Sequence, residues 1–343
     1  MKLIKPTAKL ADVARLAQVS AATVSRALSR PHLVSAATLK RVTAAAQRLH
    51  YVPHGTARAL RSRRTHAIGA VIPALGNALY AKAIHALQKT LETEGYTLLL
   101  ACHEFDLETE LKVTRSLLER GVDGLVLVGA EHAAALFALL ADLGIPYVLT
   151  WSLDASGRHP CVGFDNRVAA SRVANYLADI GHREFAMISG VTAGNDRARE
   201  RLAGIRDALA ARGIALAPQR VIEQPYSLAA GREAMQALLD LAPRPTAVIC
   251  ASDVLAMGAV MECHAQGVPV PAAVSVTGFD DIEAASILIP ALTTVRVPMH
   301  ELGYAAAQQI LARLKGEAGA AVTELAVDLI VRGTTAPPAA RSR

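Results

Sequence analysis

Along residues 10–17, LADVARLA, apolar positions recur at helical spacing. The pattern breaks at Gln18-Val19-Ser20 and resumes as AATVSRAL at 21–28. Ser20 is placed to cap this second helix, Arg30-Pro31 ends it, and Ser35 is placed to cap a third helix running to about His50. Short helices that meet across a tight turn make the helix-turn-helix pattern. Val13, Ala14, Leu16, Val24, Leu28 and Leu49 are expected to form its small core, with Val19 closing the turn. Pro53 then resets the chain. The segment GTARALRSRRT is basic and helix-compatible but too short to be a stable helix alone in water, so it reads as a linker.

From His66 the texture changes. The apolar runs AIGAVIP, YTLLLAC, DGLVLVG and IPYVLTW alternate with helical patterns near 77–94, up to Arg120, and at 132–143. The alternation resumes with REFAMISG, a helix at 195–212, RVIEQ, a helix at 227–241, TAVICAS, a helix at 253–266 and AVSVTGFDD. Strand–helix alternation predicts parallel sheets, here two doubly wound halves, each carrying ligand groups at the carboxyl ends of its strands. The expected division is an all-α helix-turn-helix head at 8–53, a hinge or linker at 54–65, and an α/β body at 66–335. Within the body, 66–163 with 293–320 are expected to form one half, and 164–292 with 321–335 the other.

Composition supports that picture and charge refines it. The 343 residues are 52% apolar and only 4% aromatic, which suits helices laid on buried sheets. Net charge is +6, but residues 1–65 hold thirteen Lys and Arg against the single acid Asp12, a net of +12, which leaves −6 for the rest. A basic head on a mildly acidic body points to a polyanion partner for the head alone. Cys102, Cys161, Cys250 and Cys263 have no metal-like spacing and are expected to be free thiols in a reducing compartment. No apolar run approaches the roughly 18–20 residues needed to span a bilayer, and no signal peptide is evident, so a cytoplasmic protein is expected.

The head reads KLADVARLAQVSAATVSRAL, then LVS, then YVPHGTARAL, and the body contains TAVICASDVLAMGAV, VSVTGFDD and LTTVRVP in that order. These motifs resemble the lactose/galactose repressor (LacI/GalR) family over nearly the whole chain, and VGFDN with its surroundings looks nearest to the gluconate-repressor branch. The resemblance implies a periplasmic-binding-protein-like body and a homodimer on a pseudo-palindromic double-stranded DNA operator. It also implies a repressor released by a small carbohydrate effector, with no cofactor and no metal.

By the same resemblance, Ala21, Ala22 and Arg26 take the base-reading positions of the second helix. Arg26 can donate twice to guanine O6 and N7, or clamp a phosphate instead. Ala21 and Ala22 offer only apolar contact, where polar residues are often found. Thr23, Ser25, Ser35 and Thr38 carry hydroxyls suited to phosphates or to capping. In the linker, Leu60 matches a leucine that wedges into a minor-groove step, with Ala57 small where backbone nears DNA and Arg58 and Arg61 flanking; Leu60 packing on a neighbouring helix is the alternative.

For the effector, Arg201 matches the family's ligand-contacting arginine, a fork for a carboxylate or vicinal hydroxyls, with a surface salt bridge as the plain alternative. Asp280 ends the VSVTGFD strand, where it would take sugar hydroxyls or cap the next segment. Ser252 with the neighbouring Asp253, Tyr226, Trp151, Asn77 and Tyr80 complete the expected effector set, and Asp165 and Asn166 fall at the crossover between halves. Trp151 could equally be core.

Two other classes compete. An extracytoplasmic sugar-binding protein would share the body but not the basic head. An enzyme is disfavoured: no G-x-G-x-x-G, P-loop, G-x-S-x-G or C-x-x-C occurs, and Asp280-Asp281 alone is not catalytic machinery. No leucine heptads follow the core, which argues against a tetramer.

Overall fold

The computed structural model describes residues 8–29, 31–52, 64–76, 78–154, 156–317 and 320–339. Compactness divides the chain into two units, Met1–Thr65 and His66–Arg343. Leu60, Ala57, Arg58, Arg61 and Asn77 lie outside the described residues.

The first unit contains α1 (Leu10–Ala17), α2 (Ala21–Ser29), the 3-10 turn Pro31–Leu33 and α3 (Ala36–Arg48). Gln18 takes the left-handed conformation at φ 52, and Val19 N–H returns to the Ala14 carbonyl at 3.0 Å, closing α1 and setting up the turn. Ser20 Oγ accepts from Thr23 N–H at 3.1 Å, and Ser35 Oγ accepts from Thr38 N–H at 3.3 Å. Val13, Ala14, Val24, Val42, Ala45 and Ala46 fill the core, with Leu28 and Leu49 packed against it. Leu16 is not in that core but exposed at 38%, because α1 turns Val13, Ala14 and Ala17 inward and Leu16 falls off the edge of that stripe.

The second unit has two six-stranded sheets. The first, in order β11-β5-β4-β3-β1-β2, comprises β1 (Ala67–Ile72), β2 (Thr97–Cys102), β3 (Gly124–Val128), β4 (Tyr147–Thr150), β5 (Cys161–Gly163) and β11 (Val322–Glu324), all parallel. The second, in order β12-β10-β9-β8-β6-β7, comprises β6 (Phe185–Gly190), β7 (Val221–Gln224), β8 (Ala247–Cys250), β9 (Ser275–Asp280), β10 (Thr293–Arg296) and β12 (Asp328–Ile330). Only β12 runs antiparallel, pairing Val295 with Leu329.

Helices cover the sheets: α4 (Ala78–Thr93), α5 (Leu107–Glu119), α6 (Ala134–Leu143) and α12 (Met299–Lys315) on the first half, and α7 (Asn166–Asp179), α8 (Asp196–Ala210), α9 (Leu228–Leu239) and α10 (Asp253–Ala265) on the second. The short α11 is Glu283–Ile287. Strands β1, β3, β6, β8 and β9 are buried almost throughout, as continuous apolar runs under two helical layers should be.

The chain crosses between halves at different points from those expected. Residues 293–296 belong to the second sheet, where β10 lies parallel to β9, and the return to the first half comes just before α12. Residues 322–324 belong to the first sheet, beside β5. The reason is strand pairing: β9 and β5 each offer a free ladder edge, and β10 and β11 satisfy those backbone groups wherever they fall in sequence.

Candidate DNA-reading helix and effector crevice

On α2 the helical period buries Val24 and Ala27 and leaves Ala21, Ala22 and Arg26 exposed, so the three expected base-reading positions share the outer face. Thr23 and Ser25 are half-buried beside them. Thr23 and Thr38 share their hydroxyls with the capping serines, Ser20 at 2.9 Å and Ser35 at 3.0 Å. Capping is therefore the observed role of Ser35, and a cap of this kind is worth about 0.5–2 kcal/mol. Asp12, the one acid of the unit, is neutralised by Arg15 at 2.8 Å and caps α1 through Lys9 N–H at 2.9 Å. The face of α2 thus keeps its positive charge.

In the second unit, residues just beyond the carboxyl ends of β2, β3 and β4 meet those beyond β6, β7, β8 and β9. Arg201, on α8, is only 4% exposed, so the surface salt bridge is excluded. Its Nε donates to Asn166 Oδ1 at 2.9 Å, its Nη1 donates to the Ala251 carbonyl at 2.7 Å, and the guanidinium lies 3.6 Å from the centroid of the Phe279 ring. Asp280 Oδ1 is 3.8 Å from Arg201 Nη1 and has no hydrogen-bond partner among the described residues. Burial pushes the Asp280 carboxyl well above the usual range, and Arg201 only partly counters it. Burial likewise lowers Arg201, with Asp280 opposing. Asp280 sits at φ 125, a conformation rare outside glycine, which places stored strain in the crevice.

Asp280 does not cap the following segment. The cap position of α11 is Ile282, and its N–H is taken by Asp253 Oδ2 at 2.8 Å. Asp253, fully buried, also accepts from Thr294; burial raises its pKa to about 6, against the lowering effect of Thr294 and the Ile282 N–H. It is a strut tying β10 to α10, not a solvent-facing cap. Ser252 caps α10 by accepting from Leu255 N–H at 3.3 Å.

From the first half, Tyr80 is buried, and its ring meets Trp151 edge-on at 5.1 Å between centroids. Burial pushes its phenol well above the ordinary value. Trp151, at φ 65, gives its carbonyl to Asn166 Nδ2 at 2.9 Å, while its own Nε1 is buried with no hydrogen-bond partner among the described residues. From the second half, Tyr226 accepts from Asn195 Nδ2 at 3.2 Å and meets the Phe105 ring of the first half at 5.9 Å. Tyr80, Trp151, Arg201, Tyr226, Ser252 and Asp280 therefore gather around one crevice. Asp165 caps α7, while Asn166 bridges Trp151 to Arg201.

The sequence reading missed a second group. Asp196 Oδ2, at the start of α8, accepts from Ala130 N–H at 3.0 Å and from Ser152 Oγ at 2.6 Å, both across the crevice, and Asp196 Oδ1 receives Arg197 Nη1 at 2.9 Å. Burial opposes this charge, yet Arg197 and the two donors hold the Asp196 carboxyl below its ordinary range. Arg199 also reaches Glu131 at 2.5 Å, a partly exposed pair of small energetic weight. In the first half, Glu110 accepts from His132 Nδ1 at 2.9 Å, His132 Nε2 meets the Gly129 carbonyl at 3.1 Å, and His103 lies beside them. The available signal was positional: His103 directly follows the apolar run of β2, where ligand groups belong.

No group of three or more His, Cys, Asp or Glu among the described residues could hold a metal ion, and no helix there is long and apolar enough to cross a membrane. The four cysteines are unpaired.

A helix-turn-helix unit joined to a two-lobed crevice lined by buried charges and rings defines a ligand-responsive DNA-binding regulator. The model of bacterial regulatory proteins of the lacI family matches residues 9–54, and that of the periplasmic binding protein-like domain matches 174–335. The HTH-type transcriptional repressor CytR of Escherichia coli (strain K12) is 33% identical over 336 residues, covering 96% of each chain. Among solved structures, the lac repressor dimer bound to operator and the anti-inducer ONPF matches with a TM-score of 0.83 at 28% identity, over 96% of this chain and 100% of that one. The transcription regulator GntR from Chromobacterium violaceum matches with a TM-score of 0.75 at 27% identity, over 78% of this chain and 99% of that one. The chain belongs to the lacI family of bacterial regulatory proteins. It is a DNA-binding transcriptional repressor, not an enzyme.

Proposed function

We propose that this cytoplasmic repressor binds a pseudo-palindromic operator as a homodimer and is released by a small carbohydrate effector, a sugar acid of the gluconate type. The observation that carries the effector reading is the crevice itself. Two buried guanidinium groups, Arg197 and Arg201, converge there with buried hydrogen-bonding atoms of Asp280 and Trp151 that have no partner among the described residues. Buried polar groups left unpaired are costly, and a polyhydroxy acid would satisfy both kinds. The likeness to the GntR structure points the same way. Effector binding would act by its differential affinity for two arrangements of the halves. A second copy has a surface to meet: Ile289, 92% exposed, beside Val268 and Val270 in a shallow apolar groove. Calorimetry with gluconate, 2-ketogluconate, galactose and hypoxanthine tests the class. Binding of galactose or hypoxanthine with no response to either acid would sink the sugar-acid reading and leave the repressor standing.

On the DNA side, Arg26→Ala should cost about 1–3 kcal/mol on the operator and relax discrimination at one base pair. A competition gel shift over single-base operator variants reads this, and equal weakening on every sequence would reassign Arg26 to phosphate. Operator affinity should also fall steeply between about 50 and 200 mM salt, because the head's Lys and Arg release condensed counterions. A flat salt response would contradict the role given to the +12 head.

A further inference from the structure

The buried ring of His103 is out of place in a satisfied interior. It is 3% exposed, yet neither ring nitrogen has a hydrogen-bond partner among the described residues. Its neighbour His132 shows the contrast, because both of that ring's nitrogens meet acceptors, Glu110 and the Gly129 carbonyl. His103 Nε2 approaches Glu110 Oε1 only to 3.8 Å, too far for a hydrogen bond. An imidazole has a donor and an acceptor to place, and leaving both unmet when buried is costly.

His103 is also at the crevice. It follows the carboxyl end of β2, its ring is 6.3 Å from that of Phe105, and Phe105 meets Tyr226 of the opposite half. Arg197, from that opposite half, lies against Gly129, whose carbonyl meets His132 of the same cluster. At the other end Arg201 has Nε and Nη1 held by Asn166 and Ala251 with Asp280 beside it, while here Arg197 gives Nη1 to Asp196 Oδ1 at 2.9 Å and His103 has no hydrogen-bond partner at either ring nitrogen among the described residues.

We propose that His103 and Arg197 form the acid-recognising end of the crevice, so that the effector lies with its carboxylate there and its hydroxyls toward Asp280, Trp151 and Arg201. This rests on the sugar-acid reading above and reverses the orientation in which Arg201 takes the carboxylate. The groups facing His103 are Glu110 and Asp106 at α5, His132 in the loop after β3, and Arg197 on α8. Burial lowers the His103 pKa, the two acids raise it, and Arg197 and His132 lower it further, which keeps the ring on the neutral side near pH 7. A carboxylate beside it favours the charged form, so the ring takes up a proton as the acid binds. The bound carboxylate becomes an ion pair with the new imidazolium and Arg197, and the proton comes from solvent. Affinity for the acid then tightens as pH falls, by at most tenfold per pH unit, while a sugar carboxyl with an ordinary pKa near 4 stays ionised.

Titration calorimetry on the full chain tests this with gluconate, 2-ketogluconate and galactose, at pH 7 in two buffers of different ionisation enthalpy. The expected result is that the acid's apparent enthalpy depends on the buffer with the sign of proton uptake. His103→Ala should weaken acid binding by tenfold or more, abolish the buffer dependence, and cost the acid more than it costs galactose. His103→Gln, which keeps a donor but cannot ionise, should retain part of the affinity with no proton uptake. Circular dichroism of both variants separates misfolding from lost recognition. Acid binding with buffer-independent heat, unchanged in His103→Ala, overturns this inference and leaves the sugar-acid reading intact. Binding of galactose alone overturns both.

Discussion

Arg201→Ala should yield a repressor that no longer answers its effector. The substitution removes the donors to Asn166 and Ala251, the cation over Phe279, and the charge nearest to Asp280. Asp280, already pushed up by burial, then loses the positive charge that partly counters it, and breaking a buried pair from one side costs about 3–5 kcal/mol. That is a large share of a domain's stability of roughly 5–15 kcal/mol, so the unfolding midpoint in urea should fall as well. The head is a separate compact unit, so operator affinity in the folded fraction should stay within a factor of a few. Gel shifts with and without effector, beside urea unfolding, read both arms. A variant that still released operator on adding effector would remove Arg201 from the site.

Gly129→Ala should open the crevice. Gly129 sits at φ +100, just past β3, and a Cβ there would fall on the Arg197 guanidinium and within 2.6 Å of Asp196 Oδ1. The added carbon should push aside the Arg197 guanidinium and the Asp196 carboxylate, whose bridges to Ala130 and Ser152 tie the two halves. Small-angle scattering of the effector-free protein should show a larger radius of gyration, and effector affinity should drop by more than tenfold. Backbone strain alone, on the order of 1–3 kcal/mol, is controlled by Gly144→Ala, where φ is +63 and no atom lies within 4 Å of the added carbon. If the two variants scattered alike, the Asp196 bridge would not be what holds the halves together.

The helices and most strands were legible because each is specified by its own local pattern. SAATVSRAL carries its cap Ser20, its buried Val24 and its exposed Arg26 within one segment, and no distant residue is needed to orient them. The apolar run TAVICAS likewise announces a buried parallel strand by having no polar face, and AVSVTGFDD does so by its place in the strand–helix alternation. Ser252 and Asp280 were expected in the crevice from the ends of those runs, and Arg201 and Tyr226 from the family resemblance. Leu16 was misassigned because an eight-residue helix buries a narrow stripe whose edge the period alone does not locate.

Asp196, Arg197, Glu110 and His132 carry no such signal, and His103 carries only its place after β2. In sequence, Asp196 and Glu110 read as ordinary acids near helix starts, where the helix dipole welcomes them at the surface. They become buried only because another segment, dozens of residues away, closes over them. The same holds for the short strands β10, β11 and β12, whose allegiance depends on which sheet edge has unpaired backbone groups. The sequence by itself determined the head, the alternation of the body, the segregation of charge and the family. Tertiary structure decided where the chain crosses between halves, which charges are desolvated, and which polar atoms are left without partners. The physical reason is range: periodicity and capping act over a few residues, whereas burial and pairing are settled by surfaces that meet only when the chain has folded.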